Sequence, residues 1–242
     1  MSVASQEAVT SDALAATVIV VPAFREVTIV AQVVTSLRQL GWQVLVVDDG
    51  SPDSTAASAA AAGATVLRHP VNLGQGAALR TGFAWALAQP TCKYVVTFDA
   101  DGQHDTGAVA TLIAPIAAGE ADVVLGSRFL DPVTRAEVPP LRRLLLRAAT
   151  WVSRTTTGLA LTDSHNGLRA FSADALRRLR LEQDRMAHAS EIQAEIARCG
   201  LRCVERPVHV RYTEYSIAKG QRFVDAISIL WDLLLTPRRS RS

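Results

Sequence analysis

The sequence predicts an α/β protein: a mostly parallel central sheet with helices on both faces, followed by an amphipathic C-terminal helix. Three observations carry this expectation. Apolar, β-branched runs such as "TVIVVPA" (17–23) and "QVLVVDDGS" (43–51) recur without polar alternation, which is how strands buried on both faces read. Helical stretches of roughly 10–15 residues separate them, the rhythm of βαβ units. Several runs also end abruptly in polar residues, and in such sheets ligands bind beyond the carboxyl ends of the strands.

Taken in order, 17–23 is the first strand, and Glu26 to Leu40 carries a helical pattern. The strand at 43–51 precedes an alanine-rich helix that stops at Gly63. A short strand, "TVLRH" (65–69), leads into "GQGAALRTGFAWALAQ" (74–89), a helix that opens on glycines. "KYVVTFDAD" (93–101) is the next strand, 106–119 a helix and "ADVVLGSR" (121–128) a strand. Beyond it, "DPVTRAEVPP" (131–140) reads as a proline-marked loop and 141–157 as a basic helix. "TDSHNGLRAFS" (162–172) turns into a short strand; helices over 173–180 and 188–199 and a strand at "RCVERPVHVRY" (202–212) follow. With no internal repeat and no long linker, one domain over 17–215 is expected, between a loose leader (1–16) and a C-terminal extension (216–242).

Bulk properties exclude several classes. The 242 residues are 49% hydrophobic, enough for a substantial core, and the net charge of +2 gives no electrostatic footprint for nucleic acid. Cys92, Cys199 and Cys203 lack the Cys-x-x-Cys spacing of zinc or redox sites and read as reduced thiols. The leader has no basic n-region, and no stretch reaches the roughly 18–20 apolar residues of a membrane span, so a cytoplasmic protein is expected. In the extension, Phe223, Ile227, Leu230 and Leu234 share one helical face. That helix packs on its own domain or a second copy of the chain, or lies peripherally on a membrane with Arg238, Arg239 and Arg241.

The chemistry collects at the strand ends. Asp99 and Asp101, read as strand residues, would share a face, since alternate side chains point the same way. Two adjacent carboxylates share either a proton or a cation. With the Gln103 oxygen nearby, the set suits a hard divalent ion, Mg²⁺ or Mn²⁺; the alternative is an acidic turn. Asp48-Asp49-Gly50-Ser51 ends another strand, where an aspartate can accept from a ribose or base edge, although Ser51-Pro52-Asp53 is also good turn and cap chemistry. "NLGQGAALRTG" (72–82) resembles half of a dinucleotide fingerprint, but the fingerprint belongs after the first strand, where Pro22-Ala23-Phe24 stands instead. A hydride-transfer enzyme is therefore disfavoured. A glycine-rich helix opening, whose backbone can lie close to a ligand, remains. His188 and His209 read as structural, and His104 as a residue within reach of a phosphate.

"VPAFRE", "VVDDGSPDST", "NLGQGAALRTG", "TFDADGQHD", "GSRF", "DSHNGLRAF" and "ERPVHVRY", in this order over roughly 17–215, resemble family 2 glycosyltransferases of the GT-A (Rossmann-like) fold. The likeness is to polyprenol-phosphate (dolichol-phosphate) mannose or glucose synthases. The resemblance implies that Pro22, Phe24 and Glu26 line the nucleotide, that Asp49 contacts the nucleoside, and that Gly76 and Ala77 lie near base and ribose. It implies a divalent cation on Asp99, Asp101 and Gln103, Arg128 at a donor or acceptor phosphate, and Asp163 and Arg169 at the acceptor side. Glu191 matches an acidic position on the following helix. The family's closing Ser-Lys pair is separated here into Ser216 and Lys219, and Arg211 stands slightly early. His165-Asn166 replaces small or hydroxyl residues.

The implied reaction is an inverting transfer of sugar from a UDP, GDP or dTDP sugar to a polyprenyl phosphate or another lipid-linked or glycan acceptor. Arg128, Arg211 and Lys219 would hold phosphates. A phosphate monoester attacks without a base, whereas a sugar hydroxyl needs one, with Asp163 or Glu191 as candidates. Arg142, Arg143 and Arg147 either meet an anionic acceptor or form a solvated face. The alternatives are a sugar-phosphate nucleotidyltransferase, whose glycine- and basic-rich first loop is missing here, and a catalytically silent sugar-nucleotide-binding subunit.

Overall fold

A computed structural model describes residues 11–138 and 140–211; of Glu137 and residues 140–142 the backbone alone is described. Ser216, Lys219, the helix expected through Leu234 and the arginine tail lie outside the described residues, as does most of the leader. A short helix, α1 (Ser11–Ala15), leads into β1 (Thr17–Ala23). Then come α2 (Val30–Gln39), β2 (Gln43–Asp48), α3 (Thr55–Ala61), β3 (Thr65–Arg68), α4 (Gln75–Leu87), β4 (Tyr94–Thr97), α5 (Ala108–Ala117) and β5 (Val123–Ser127). The remainder is α6 (Pro132–Glu137), α7 (Pro140–Thr157), β6 (Arg169–Ser172), α8 (Ala173–Arg178), α9 (His188–Arg198) and β7 (Cys203–Pro207).

The seven strands form one sheet in the order β3-β2-β1-β4-β6-β5-β7. All pairs are parallel except those of β6, which runs antiparallel to both β4 and β5. The mostly parallel α/β sheet is therefore as the apolar runs predict. β1 shows why: Val18 and Val20 belong to the core cluster beneath α4 and α9, while Ile19 and Val21 belong to the cluster beneath α2 and α5. A strand buried on both faces has no polar side to display, and each such valine or isoleucine contributes roughly 1.5–3 kcal/mol. The close approach of α4 to the sheet depends on Gly82, where a Cβ would stand 2.3 Å from Val20 Cγ1.

Two consequences of topology place the site. The chain runs outward from β1 to β2 and β3, then returns to β4 on the other side of β1, so the crevice expected at such a reversal opens beyond β1 and β4. Because β6 is antiparallel, its first residue, Arg169, pairs with Thr97 at the end of β4 and with Leu125 near the end of β5. The loop before β6 thus reaches the same sheet edge.

The elements differ from expectation in several places; β2 and β7 end early, at Asp48 and Pro207. β4 ends at Thr97, so Asp99 and Asp101 stand in a turn and not on one strand face. The turn is made by Gly102 at φ 72° and by Asp101, whose Oδ1 accepts the Gln103 amide at 3.0 Å. The segment 131–140 is not only loop: Asp131 caps α6 by accepting from Thr134 N, with Pro132 at the first helical position. α2 begins at Val30, after a turn closed by Ile29 and Val30 amides on the Glu26 carbonyl.

Candidate active site

The first loop, after β1, is held in an uncommon backbone state. Arg25 has φ 58° without being glycine, and its amide donates to Ser51 Oγ at 2.9 Å. The Glu26 amide donates to Thr55 Oγ1 at 2.9 Å, and the Arg25 guanidinium lies over the Phe24 ring at 5.2 Å. Pro22, Phe24 and Glu26 are thereby fixed, partly exposed, at the mouth of the crevice.

Asp49 has an internal task that the sequence does not announce. Its Oδ1 takes His69 Nδ1 at 2.7 Å and the Leu73 amide at 3.0 Å, and its Oδ2 takes the Gly74 amide at 2.7 Å. His69 Nε2 in turn contacts Thr81 Oγ1 at 2.9 Å. Three of the roughly four acceptor positions of a carboxylate are filled from within. Gly76 and Ala77 likewise meet the chain itself. A Cβ on Gly76 would stand 2.0 Å from the Gln183 carbonyl oxygen, and Ala77 N donates to the Asp184 carbonyl at 3.1 Å. The close backbone approach that the glycine provides is used by the chain's own 183–184 segment.

At the acidic turn the side chains converge. Asp99 Oδ2 lies 3.3 Å from His104 Nε2, and Oδ1 accepts Gln75 Nε2 at 3.3 Å. A Cβ on Gly167 would collide with the Asp99 carboxylate at 2.1 Å, which is why a glycine follows His165-Asn166. Burial pushes the Asp99 carboxyl up, but His104, Arg169 and His188 together bring it below the usual range. Asp101 behaves oppositely: burial, and then the charge of Asp99, push it up to about 6. Its Oδ2 accepts Gln103 Nε2 at 2.7 Å. The Arg211 amide donates to the Gln103 carbonyl at 2.8 Å, so the segment after β7 runs beside this turn.

The second cluster is basic. Arg128, just past β5, donates Nε to Asp163 Oδ2 at 2.6 Å and Nη2 to the His165 carbonyl at 2.9 Å. Both partners are buried. Burial works against an ionised Asp163, yet Arg128 holds its carboxyl well below the usual range. Arg169, also buried, donates Nε to the Asn166 carbonyl at 2.9 Å and feels both Asp99 and Asp163. Burial brings His165 down to about 4, with Arg169 and Arg128 adding to the shift, and brings His188 to about 4, with Arg169 adding. Both rings are therefore neutral near pH 7.

The structure thus brings together Asp99, Asp101, Gln103, Arg128, Asp163, Arg169 and Arg211. Glu191 stands apart: its carboxylate accepts the amides of Glu182 and Gln183. His104 turns to Asp99, with only 5% of its side chain exposed. Gln75, His69, Gly167 and Glu205 were not singled out as site residues from sequence, although Gln75, Gly167 and Glu205 lie within the quoted motifs. Lys219 lies outside the described residues, as does the Arg142 side chain. Among the described residues, no three His, Cys, Asp or Glu side chains gather as a metal-holding group. The acidic turn offers two carboxylates and an amide. Its all-oxygen chemistry, and the mutual repulsion that raises Asp101, fit a hard divalent cation completed by a ligand's phosphates.

Residues 18–181 match the family model described as Glycosyl transferase family 2. The chain belongs to glycosyltransferase family 2. Among its relatives is the UDP-N-acetylglucosamine–dolichyl-phosphate N-acetylglucosaminyltransferase of Methanococcus voltae, 30% identical over 90% of this chain and 94% of that one. The undecaprenyl-phosphate mannosyltransferase of Micrococcus luteus is 32% identical over 78% of this chain and 81% of its own. Glucosyl-3-phosphoglycerate synthase from Mycobacterium tuberculosis, solved with Mn²⁺, UDP and phosphoglyceric acid, superposes with a TM-score of 0.62 at 22% identity. It covers 92% of this chain and 80% of that one, and at this identity the likeness shows the fold. Among the described residues of this family 2 member, no helix is long and apolar enough to cross a membrane.

Proposed function

We propose that the protein transfers a sugar, with inversion, from a nucleoside-diphosphate sugar to a polyprenyl phosphate. The observation that carries this is the pairing of an electrostatically frustrated acidic turn with buried arginines across one crevice. Asp101, raised to about 6 by burial and then by the charge of Asp99, shares its turn with Asp99, while buried Arg169 feels both Asp99 and Asp163, the partner of Arg128. Asp99, Asp101 and Gln103 would hold a divalent cation, which as a Lewis acid neutralises charge developing on a leaving diphosphate. The neighbour solved with Mn²⁺ and UDP supports that reading. In the transfer, an acceptor phosphate oxygen forms a bond to the anomeric carbon as the bond from that carbon to the diphosphate oxygen breaks. Arg128, and Arg211 beside Gln103, supply charge-assisted hydrogen bonds to phosphate groups.

The state of the two candidate bases favours a phosphate over a hydroxyl acceptor. Asp163 is tied to Arg128 and held ionised at low pH, which makes it a weak base, and Glu191 is occupied by two backbone amides. A phosphate monoester needs neither. A groove of about 340 Å³ lined by Phe129, Leu130, Pro132, Arg135, Ala136 and Arg143 opens next to Arg128, apolar with a basic rim, as an isoprenyl chain bearing a phosphate would require. The lipid-phosphate relatives support the same choice. A nucleotide-sugar donor places the reaction on the cytoplasmic side, with the protein at the membrane surface. The test is transfer from a panel of labelled nucleotide sugars to a short-chain polyprenyl phosphate, with Mn²⁺ or with EDTA. Lipid-extractable label that requires metal supports the proposal; label undiminished by EDTA, or none with any donor, overturns it.

A further inference from the structure

β7 sets Glu205 opposite Leu125 of β5, two residues before Ser127 and three before Arg128. Its side chain crosses to the loop that carries Asp163. Oε1 accepts the amides of Thr162 at 2.9 Å and Asp163 at 3.0 Å, while Oε2 accepts the Thr162 amide and the Thr162 hydroxyl, both at 2.8 Å. Among the described residues no lysine, arginine or histidine forms an ion pair with it. The charge of Glu205 is thus met by hydrogen-bond donors of two adjacent residues.

The hydroxyl contact fixes the direction of a longer chain. Thr162 has one hydroxyl proton, and it is given to the Glu205 carboxylate. At the 2.7 Å contact between Ser127 Oγ and Thr162 Oγ1, Ser127 must therefore donate and Thr162 accept. Ser127 Oγ in turn accepts the Phe129 amide at 3.2 Å. The bonds run Phe129 N–H to Ser127, Ser127 to Thr162, Thr162 to Glu205. Ser127 and Phe129 flank Arg128; Thr162 and the Asp163 amide anchor Asp163. One carboxylate holds both backbone segments whose side chains meet in the Arg128–Asp163 pair.

We propose that Glu205 is the positioning residue of the Arg128–Asp163 pair, setting where the Arg128 guanidinium stands in the crevice. The role deepens the transfer reading above and rests on it for its kinetic arm alone. Glu205→Gln puts an N–H₂ donor against donors, so at least one bond of the cluster is lost. Thr162→Val cuts the chain between Ser127 and Glu205, whereas Thr162→Ser keeps it.

The deciding measurement is the Arg128 Nε–H resonance in ¹H–¹⁵N spectra of the full chain, assigned by its disappearance in Arg128→Lys. A proton given to a carboxylate at 2.6 Å is sensitive to a small displacement of either partner. The resonance is expected to move in Glu205→Gln and Thr162→Val and to stay in Thr162→Ser. In the transfer assay, the first two should lose about 10- to 100-fold in kcat/KM, the cost of a displacement of about 1 Å at a positioned group, and the double variant should be no worse than Glu205→Gln alone. An unmoved resonance in both overturns the proposal, as does additive loss in the double variant. Should Glu205→Gln not fold, the Thr162 pair decides. If the wild type transfers no sugar, the function reading falls while the resonance still tests the role of Glu205.

Discussion

β2 and β4 lie on either side of β1, and a pair of aspartates stands at or just past the end of each, yet the two pairs are treated differently by their surroundings. Past β2, Asp49 has three of its acceptor positions filled by His69 and two loop amides, and Asp48 is wholly buried with Arg68 Nε 3.1 Å away. Past β4, Asp101 is bonded among the described residues only to its own turn through Gln103, and burial with the charge of Asp99 lifts it to about 6. One acidic strand end is met by a histidine and two loop amides; at the other, Asp101 keeps a raised pKa. The difference lies in what the following loop brings back: after β3 a histidine and two free amides return to Asp49, whereas the turn after β4 returns mainly an amide side chain.

The same chemical change at the two ends should therefore give opposite results, and the largest effect is expected at the open end. Asp101→Asn removes one of two carboxylates for the cation and should lower transfer roughly 100- to 1000-fold, about 3–4 kcal/mol of barrier. It also removes the charge that repels Asp99, so the melting temperature should hold or rise. Loss of activity with a lower melting temperature would erase the contrast. Asp49→Asn, in turn, sets an N–H₂ donor against donors now satisfied by an anion. We expect a loss of about 3 kcal/mol in urea unfolding, because hydrogen bonds to a buried charge are replaced by unpaired groups. A loss below about 1 kcal/mol, within reach of one ordinary hydrogen bond, would mean that the Asp49 cluster is not structural.

The comparison also shows what a sequence carries. The parallel sheet was legible because runs such as 17–23 and 43–48 have no polar face, and burial on both sides is the only environment that tolerates them. That polar residues collect at the carboxyl ends of the strands was legible as well, since the strand ends follow from the alternation; the strand order, with β4 beside β1, was not. Which aspartate is open was not, because the partners of Asp49 come from His69 and residues 73–74, some 20 residues on. The glycine at 76 announces a close approach but not of what; the visitor is a segment more than 100 residues away. α6 was hidden because Asp131-Pro132 reads as a loop until the Thr134 amide is seen on the Asp131 cap. Glu205 opens the "ERPVHVRY" stretch, but its role was not legible there: an acid in a short strand acquires its meaning from Thr162 across the sheet edge.

Acid tests the comparison at the level of the whole cluster. His165 and His188, brought to about 4 by burial, take up protons in the unfolded chain below about 6.5 but not in the folded one until about 4. Their folded pKa values are depressed, so the stability they contribute is present above 6.5 and lost as pH falls towards 4. Asp101 acts in the opposite sense, since its raised pKa favours the folded state as pH falls towards its unfolded value of 3.8. Two histidines against one aspartate leave a net loss of about 2 kcal/mol between pH 7 and 5 in the metal-free protein. His188→Gln, which cannot take up the proton, should flatten that slope; an unchanged slope would remove the histidine from the account.

The smallest expected effect lies at Asp48, and it separates two ways of closing an acidic strand end. Arg68 is 58% exposed along its side chain, whereas Asp48 is fully buried, so the pair is neither a surface bridge nor a sealed one. Arg68 Nη2 also donates to the Ser51 carbonyl at 2.8 Å, in the turn whose hydroxyl fixes Arg25. Arg68→Met keeps the aliphatic stem and removes both interactions, at a cost of about 1 kcal/mol. An exposed ion pair would lose its worth in salt, because charges in water are screened over about 8–10 Å at physiological strength. Here one partner is out of water, and much of the loss comes from leaving the buried Asp48 oxygen without its cation. The destabilisation measured by urea unfolding should therefore persist when the comparison is repeated in about 1 M NaCl, where the screening length is near 3 Å. If it vanishes, Asp48 is served by solvent, and the end of β2 is less closed than the Asp49 cluster makes it look.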